Sequence, residues 1–230
     1  MTQKVIILGT GGSAYDILDT VEAINARAPT WELAGFLDDA LQVGSLHLDL
    51  PILGGLRDAG RFPNSLFVNA IGSDKSYRRR PEILTSTGLD RRRFATLVHP
   101  AASASPRARI GQGVCAHFGV NIAGGVVVGD HVSIYPGCIV GHDSVIEDYV
   151  IVAPGAVISG FVHIERGSYV GARAVIRQHL RVGSQALVGM GAVVLRDVAA
   201  QERVVGNPAR TLAPRARSDQ EVLANGAHTK

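Results

Sequence analysis

The sequence has few of the residues that mark secreted, membrane or nucleic-acid-binding proteins. Its two cysteines, Cys115 and Cys138, form neither a CxxC pair nor a disulfide framework, which favours a reducing, cytoplasmic setting. Aromatic residues make up 5% of the 230 residues, charged residues make up 19%, and the net charge is only +3. Affinity for phosphate backbones needs clustered positive charge, so we expect no nucleic-acid partner.

Long apolar runs are also missing where a targeting or membrane segment would need them. The apolar run after Lys4 covers residues 5–8 and ends at Gly9, which is too short for a signal-peptide core. The uncharged stretch at residues 149–164 contains Pro154 and is too short to span a bilayer. We therefore expect neither secretion nor a membrane partner.

The first hundred residues alternate between strand-like and helix-like segments. Strands are predicted at 4–8, 31–37, 65–71 and 94–98, with helices at 13–28 and through the late 70s and 80s. This alternation predicts a small parallel sheet. The first turn reads Gly9-x-Gly11-x-x-Ala14, a form of the dinucleotide fingerprint whose helix amides bind anions. About 95 residues allow only half of a complete dinucleotide fold, which disfavours the alternative of an NAD-dependent enzyme.

From about residue 100 the pattern changes to a repeat of six residues. Of the fifteen positions spaced six apart from Ile110 to Val194, fourteen are Ile or Val. The residue four positions after each of these is small or β-branched with few exceptions. One apolar and one small residue per hexad predict a triangular solenoid, in which three hexads form one 18-residue coil and coils stack about 4.8 Å apart.

Several segments together resemble one family of enzymes. They are VIILGTGGSA from residue 5, GFLDD at 35–39, AIGSDKSYR at 70–78, LVHPAA at 97–102, IVGHDSVIEDYVIVAPGAVISG at 139–160, VGMGAVVLRDV at 188–198 and VGNPAR at 205–210. The sequence resembles the hexapeptide-repeat sugar acyltransferases of the sialic acid O-acetyltransferase and bacillosamine N-acetyltransferase type. The resemblance implies an α/β half-Rossmann-like domain at 1–98, a left-handed parallel β-helix at 99–212 and a tail at 213–230.

One histidine stands out within the repeat. His142 is the only one of eight histidines at the third position of a hexad, and its neighbours one coil away are Gly124 and Gly160. Two glycines leave a notch beside the imidazole, and Asp143 supplies a carboxylate to orient the ring. The family places its general base at this histidine and an acidic residue directly after it. The implied reaction is direct acetyl transfer from acetyl-CoA, without an acyl-enzyme.

The resemblance also implies the binding residues and a homotrimer. Acetyl-CoA would lie between neighbouring subunits, and a basic C-terminal end, with nine arginines against three acidic residues at 165–217, suits its phosphates. The implied cofactor residues are Ile151, where the family often has a second histidine, and Gly171, Ala172, Gly189 and Met190. A nucleotide-sugar would contact Gly11, Gly12, Ser13 (in place of a common histidine), Asp38, Asp39, Gly72 and Ser73.

Other functions remain open at this point. A γ-type carbonic anhydrase needs three zinc-bound histidines, but Glu147 stands where that family has its second one, so no metal is expected. An O-acetyltransferase of a free sugar such as a sialic acid and a non-catalytic scaffold are the remaining alternatives. The arginine runs at 78–80 and 91–93 are expected to decorate the ends of one exposed helix.

Overall fold

The computed structural model describes residues 2–213, so all but the first residue of the tail predicted at 213–230 lies outside the described residues. Within this range the N-terminal part is an α/β domain. Its elements are β1 (Gln3–Leu8), α1 (Ser13–Arg27), β2 (Trp31–Leu37), β3 (Leu46–His47), β4 (Leu50–Gly54), β5 (Leu66–Asn69) and α2 (Arg80–Ser86). Short 3₁₀ helices cover Leu56–Arg61, Tyr77–Arg79 and Arg91–Arg93.

The strands of this domain form one sheet in the order β3-β4-β2-β1-β5. All neighbours are parallel except the hairpin β3–β4, which the sequence analysis did not predict. Alternate residues of β1 point to opposite faces, so Val5 and Ile7 pack with α1 while Ile6 and Leu8 pack with Leu84 of α2. The predicted parallel sheet is thereby confirmed.

The strand predicted at 94–98 is wrong as a fourth strand of this sheet. Phe94 makes only a single parallel bridge, to Phe67 of β5. Leu97–Val98 instead forms β6, which pairs with Cys115–Ala116 one coil later. The apolar residues predicted at 94–98 do form a strand at Leu97–Val98, but this strand belongs to the β-helix and not to the N-terminal sheet.

The rest of the chain is a parallel β-helix with three faces. Face 1 consists of β6 (Leu97–Val98), β9 (Cys115–Ala116), β12 (Ser133–Ile134), β15 (Ile151–Val152), β18 (Tyr169–Val170), β21 (Leu187–Val188), β23 (Arg203–Val205) and the antiparallel β24 (Arg210–Thr211). Face 2 consists of β7 (Ser103–Ala104), β10 (Asn121–Ile122), β13 (Ile139–Val140), β16 (Val157–Ile158), β19 (Val175–Ile176) and β22 (Val193–Val194). Face 3 consists of β8 (Arg109–Ile110), β11 (Val127–Val128), β14 (Val145–Ile146), β17 (His163–Ile164) and β20 (Arg181–Val182).

The six-residue period explains the core of this helix. The repeating Ile or Val is the second residue of its strand and points inward, as Ile134 and Ile158 do. The small residues predicted four positions later fill the corners, as Ala156 and Ala174 do. Paired strands stand 18 residues apart, for example Ile139 with Val157, so the predicted coil length is confirmed.

The corners of the helix share one backbone conformation. A residue with positive φ recurs every six positions, and glycine occupies many of these sites, such as Gly125 and Gly155. Other residues hold the same left-handed conformation at Asp143, Phe161 and His179, which share one corner. Side chains at these sites project from the corner, so these three residues form a column 18 residues apart.

The N-terminal domain covers part of face 1. The outward side chains of Cys115, Ser133 and Ile151 are buried there. The arginine runs take part in this junction, so the prediction that they decorate one exposed helix is wrong: Arg80 is buried against face 1 and Arg91 pairs with Asp130. Tertiary contact with the second domain decides where these side chains lie.

Acidification is expected to destabilise the junction between the two domains, because this junction buries histidines in their neutral form. His117 is buried, with Nδ1 2.9 Å from Oγ1 of Thr20, and burial lowers its pKa to about 4; burial also lowers the pKa of His131 to about 4. The unfolded chain takes up these protons first, so stability is full above pH 6.5 and falls as the pH approaches 4. His117 alone contributes a slope of up to about 1.4 kcal/mol per pH unit.

Chemical denaturation at pH 7.5 and at pH 5 measures this loss. The variant His117→Gln should lose less stability between the two pH values than the wild type, because glutamine does not titrate. An equal loss in both proteins would contradict the assignment to His117.

Candidate active site

His142 stands on the corner between face 2 and face 3, directly after β13. Its Nδ1 lies 3.0 Å from Oδ2 of Asp143, and its side chain is 61% exposed. A carboxylate only accepts hydrogen bonds, so this contact places the proton of the neutral ring on Nδ1. The lone pair of Nε2 is therefore free to accept a proton from an incoming group.

Gly160, one coil after His142, provides the space in which the imidazole ring packs. A methyl group on Gly160 would lie 2.8 Å from Nε2, so the space that a side chain would fill is taken by the imidazole. The next residue, Phe161, packs edge-on against the imidazole with ring centroids 5.0 Å apart and stacks on His179 at 4.8 Å. The ring of His142 is thus held by Asp143, Gly160 and Phe161.

Replacement of Gly160 by alanine should displace the imidazole and lower kcat. Misplacement of a catalytic group by about 1 Å can cost on the order of 100-fold in rate, so we expect a loss of about 10- to 100-fold. The matched control is Gly124→Ala, one coil away on the other side, where a methyl group would meet only the Ser105 hydroxyl at 3.5 Å. Steady-state kinetics should show a wild-type kcat for this control. Equal losses of kcat in both variants would contradict the prediction that Gly160 positions the His142 ring.

The predicted cofactor residues come together in one groove, with the exception of Ile151. A cavity of about 470 Å³ on the corner between face 1 and face 2, here called the corner groove, is lined by Gly171, Ala172, Gly189 and Met190 together with Asp74, Tyr169, Leu187, Arg203 and Val205. Met190 is 81% exposed beside it. The lining is mostly apolar and carries one arginine and one aspartate, which suits a long, weakly polar arm whose phosphates would lie at Arg203. The outward positions of face 1 hold Tyr169, Leu187 and Arg203, a pattern that the sequence analysis missed.

Ile151 lies elsewhere. Its side chain is 1% exposed and packs with Tyr77 and Leu187 at the domain junction. Its Cδ1 would be 2.6 Å from a methyl group on Gly72. Contact between Ile151 and a cofactor would require these neighbours to move.

A second cavity opens in the N-terminal domain at the carboxyl ends of β1, β2 and β5, where parallel sheets bind ligands. This cavity, here called the N-terminal pocket, measures about 290 Å³ and is lined by Gly9, Thr10, Gly11, Gly12, Ser13, Asp38, Ala70, Ile71, Gly72, Ser73 and Ser76. Six of the seven predicted nucleotide-sugar residues therefore meet here, and the seventh, Asp39, does not line it.

The two aspartates have different surroundings. Asp38 lines the N-terminal pocket, and its Oδ2 accepts hydrogen bonds from the amide and the hydroxyl of Thr10. Asp39 instead accepts a hydrogen bond from the amide of Leu56 at 2.8 Å and so holds the 3₁₀ helix after β4. The structure thus gives Asp39 a local structural contact in place of a position in the pocket.

Residues after β5 connect the two cavities. Gly72, Ser73 and Ser76 line the N-terminal pocket, whereas Asp74 between them lines the corner groove. A second link comes from Ser13, whose hydroxyl hydrogen-bonds the hydroxyl of Tyr135 on the corner between faces 1 and 2. The two cavities are therefore neighbours across the domain junction.

Family models match both parts of the chain. Residues 4–81 match the PglD N-terminal domain, and residues 128–160 and 143–178 match the bacterial transferase hexapeptide repeat. No curated protein sequence matches the chain significantly. Among solved structures, the acetyltransferase domain of PglB from Neisseria gonorrhoeae in complex with acetyl coenzyme A is 30% identical, with a TM-score of 0.78 over 92% of this chain and 100% of that one. This chain belongs to the hexapeptide-repeat sugar acetyltransferases.

Two further solved structures support the assignment of this chain to the family. A variant of perosamine N-acetyltransferase from Caulobacter crescentus, in complex with CoA and GDP-perosamine, is 25% identical, with a TM-score of 0.79 over 93% of this chain and 99% of that one. WeeI from Acinetobacter baumannii is 28% identical, with a TM-score of 0.78 over 92% of this chain and 100% of that one. The similarity spans both domains, so it concerns the whole architecture.

Residues 2–213 contain no group of three or more His, Cys, Asp or Glu side chains placed to hold a metal ion. In the same part of the chain, no helix combines the length and the apolar character needed to cross a bilayer.

Proposed function

We propose that this acetyltransferase transfers an acetyl group from acetyl-CoA to the amine of a nucleotide-linked amino-sugar, with His142 as the general base. The observation that carries the proposal is the meeting of predicted residues in two adjacent cavities. The residues predicted to bind the cofactor line the corner groove, apart from Ile151, and those predicted to bind a nucleotide-sugar line the N-terminal pocket, apart from Asp39. The relatives support both ligand classes, because their structures hold acetyl coenzyme A in one case and CoA with GDP-perosamine in another.

The chemistry follows from the position of the proton on His142. Acetyl-CoA supplies the activated acyl group. Nε2 of His142 accepts a proton from the sugar amine while the new carbon–nitrogen bond forms and the thioester bond breaks, and the proton then passes to the departing thiolate. Asp143 stabilises the imidazolium through Nδ1. General-base assistance of this kind contributes about 10²- to 10⁴-fold.

A single chain does not bring His142 to the corner groove, because the two lie at opposite edges of face 2. From β13 onward the outward side chains of face 2 are apolar: Ile139, Val157, Val175 and Val193. A homotrimer with face 2 toward its axis would bury these side chains. That arrangement also brings one edge of face 2 beside the opposite edge in the next copy, so His142 of one subunit would meet the corner groove of its neighbour.

Release of free thiol from acetyl-CoA tests the proposed activity. The acceptors are UDP-, GDP- and dTDP-linked 4-amino-sugars, their 4-hydroxy counterparts and a free sialic acid. We expect turnover with nucleotide-linked amino-sugars alone, with the acetyl group on nitrogen by mass spectrometry. Turnover of the free sialic acid without that of any nucleotide-linked sugar would instead identify an O-acetyltransferase.

A further inference from the structure

The guanidinium of Arg80 is a buried cation at the domain junction. Its side chain is 1% exposed. Nη2 donates to the Ser133 hydroxyl at 2.7 Å, and Nη1 donates to the carbonyls of Tyr149 and Val150 at 3.3 and 3.4 Å. Nε is buried and has no hydrogen-bond partner among residues 2–213. Each group that Arg80 contacts through these bonds is neutral.

The ionisable groups around Arg80 do not balance its charge. Those that act on it are Tyr135, Cys115 and Tyr149, and burial raises the pKa of the Cys115 thiol to about 12. Burial lowers the pKa of Arg80 itself, but arginine keeps its proton in proteins. Desolvation of an unpaired ion costs several kcal/mol. The junction therefore holds a positive charge that a further anion would stabilise.

This charge lies next to Gly72, one of the residues that line the N-terminal pocket. A methyl group on Gly72 would meet Cδ1 of Ile151 at 2.6 Å and then Cδ and Nε of Arg80 at 3.6 and 3.7 Å, so the side chain of Arg80 lies beside this wall of the pocket. Gly72 and Ser73 line the pocket, as do Gly11, Gly12 and Ser13 at the start of α1. An anion in the pocket would thus lie between the amides of a 15-residue helix and a buried guanidinium.

We propose that Arg80 is the counter-charge for the diphosphate of the nucleotide-sugar and strengthens its binding through the pocket wall, without contact with the ligand. The inference rests on the proposed function, because it assigns the N-terminal pocket to a nucleotide-linked sugar. Apolar surroundings screen charges weakly, so the attraction acts at a longer range than a surface arginine would reach. Arg80 also packs against Gly72 and so positions the backbone that lines the site.

Calorimetric titration of the full-length enzyme tests the role of the charge. The probes are UDP, GDP and dTDP, each compared with its nucleoside, and acetyl-CoA as a ligand of the other cavity. In Arg80→Met, a neutral side chain of similar length, the Kd of the preferred diphosphate should rise by about tenfold or more. The Kd of the nucleoside and that of acetyl-CoA should stay within about twofold of the wild type, since neither interacts with this charge at close range.

Arg93→Met is the matched control. Arg93 also donates to backbone carbonyls, those of Phe62 and Ser65, but it lies outside the N-terminal pocket. Its loss should leave diphosphate binding unchanged. Arg80→Lys keeps the positive charge and should bind the diphosphate more tightly than Arg80→Met does.

A measurement on the wild type keeps the proposal testable if the Arg80 variants do not fold. Binding that relies on a buried charge changes little with ionic strength, whereas binding by surface cations weakens steeply. The Kd of the diphosphate should therefore change less than about threefold between 50 and 500 mM NaCl.

The possible failures have different meanings. A folded Arg80→Met protein with wild-type affinity for the diphosphate, or equal weakening for diphosphate and nucleoside, overturns the role of the charge but leaves the proposed function intact. A wild-type enzyme that binds none of the three diphosphates overturns the nucleotide-sugar assignment and this inference with it.

Discussion

Replacement of His142 by alanine is expected to lower kcat by about 10²- to 10⁴-fold, the contribution of a general base. The KM values for both substrates should change little, because the ring accepts a proton only as the new bond forms. Asp143→Asn should have a smaller effect, since the amide still accepts a hydrogen bond from Nδ1 but no longer stabilises the imidazolium. Thiol release from acetyl-CoA measures both variants.

The chain offers a close control for this experiment. His163 on face 3 is also a partly exposed histidine beside a carboxylate, with Nε2 2.7 Å from Oε1 of Glu147. His163→Ala removes a pair of the same kind from a face that carries neither His142 nor any residue of the corner groove or the N-terminal pocket, so kcat should stay at the wild-type value. Wild-type turnover of His142→Ala with the best acceptor would rule out His142 as the base.

Ile139→Asp is expected to separate the trimer and abolish activity. Ile139 is 46% exposed on face 2 of the single chain, and the proposed assembly buries it near the three-fold axis. A carboxylate buried there without a partner costs several kcal/mol, and symmetry repeats this cost in every subunit. Light scattering should report monomers, with a loss of at least 100-fold in turnover because each site draws on two copies.

Val145→Asp distinguishes loss of assembly from loss of folding. Val145 is likewise an outward β-branched residue of the helix, one strand after Ile139, but it belongs to face 3. The Val145→Asp protein should remain a trimer with normal turnover, and circular dichroism should show intact strands in both variants. An Ile139→Asp enzyme that stays trimeric would show that face 2 does not face the axis.

The features that follow the repeat were predictable from the sequence. A period of six determines which residues point inward and which share a corner, so the sequence alone predicts that His142, Gly160 and Gly124 lie in one column. The same counting placed Gly171 and Gly189 together, one coil apart. Local periodicity determines these positions, because each coil contacts only its neighbours.

The junction between the domains was not predictable in the same way. Arg80 reads as one of three consecutive arginines, and only the docking of the N-terminal domain on face 1 buries it. Ser13 and Tyr135, which are joined by a hydrogen bond, lie 122 residues apart with no pattern that links them. Asp39 was expected in the pocket because it follows β2, yet the amide of Leu56 captures its carboxylate. Such contacts join residues that are far apart in the sequence and follow no period, so they depend on how the two folded domains dock.

The uninterrupted coil also determines the distance along the helix axis between His142 and the corner groove. Each residue advances about 0.27 Å along the axis, since 18 residues span one strand spacing of about 4.8 Å. Because a three-fold axis carries no translation along itself, Ala172 in one subunit would lie about 8 Å further along than His142 in the next. Insertion of one whole coil between these two residues would keep every inward contact yet lengthen that distance by about 4.8 Å. In the proposed trimer, the number of coils between these residues would have to match the length of the acyl donor's arm, so an insertion that the core tolerates would still impair transfer.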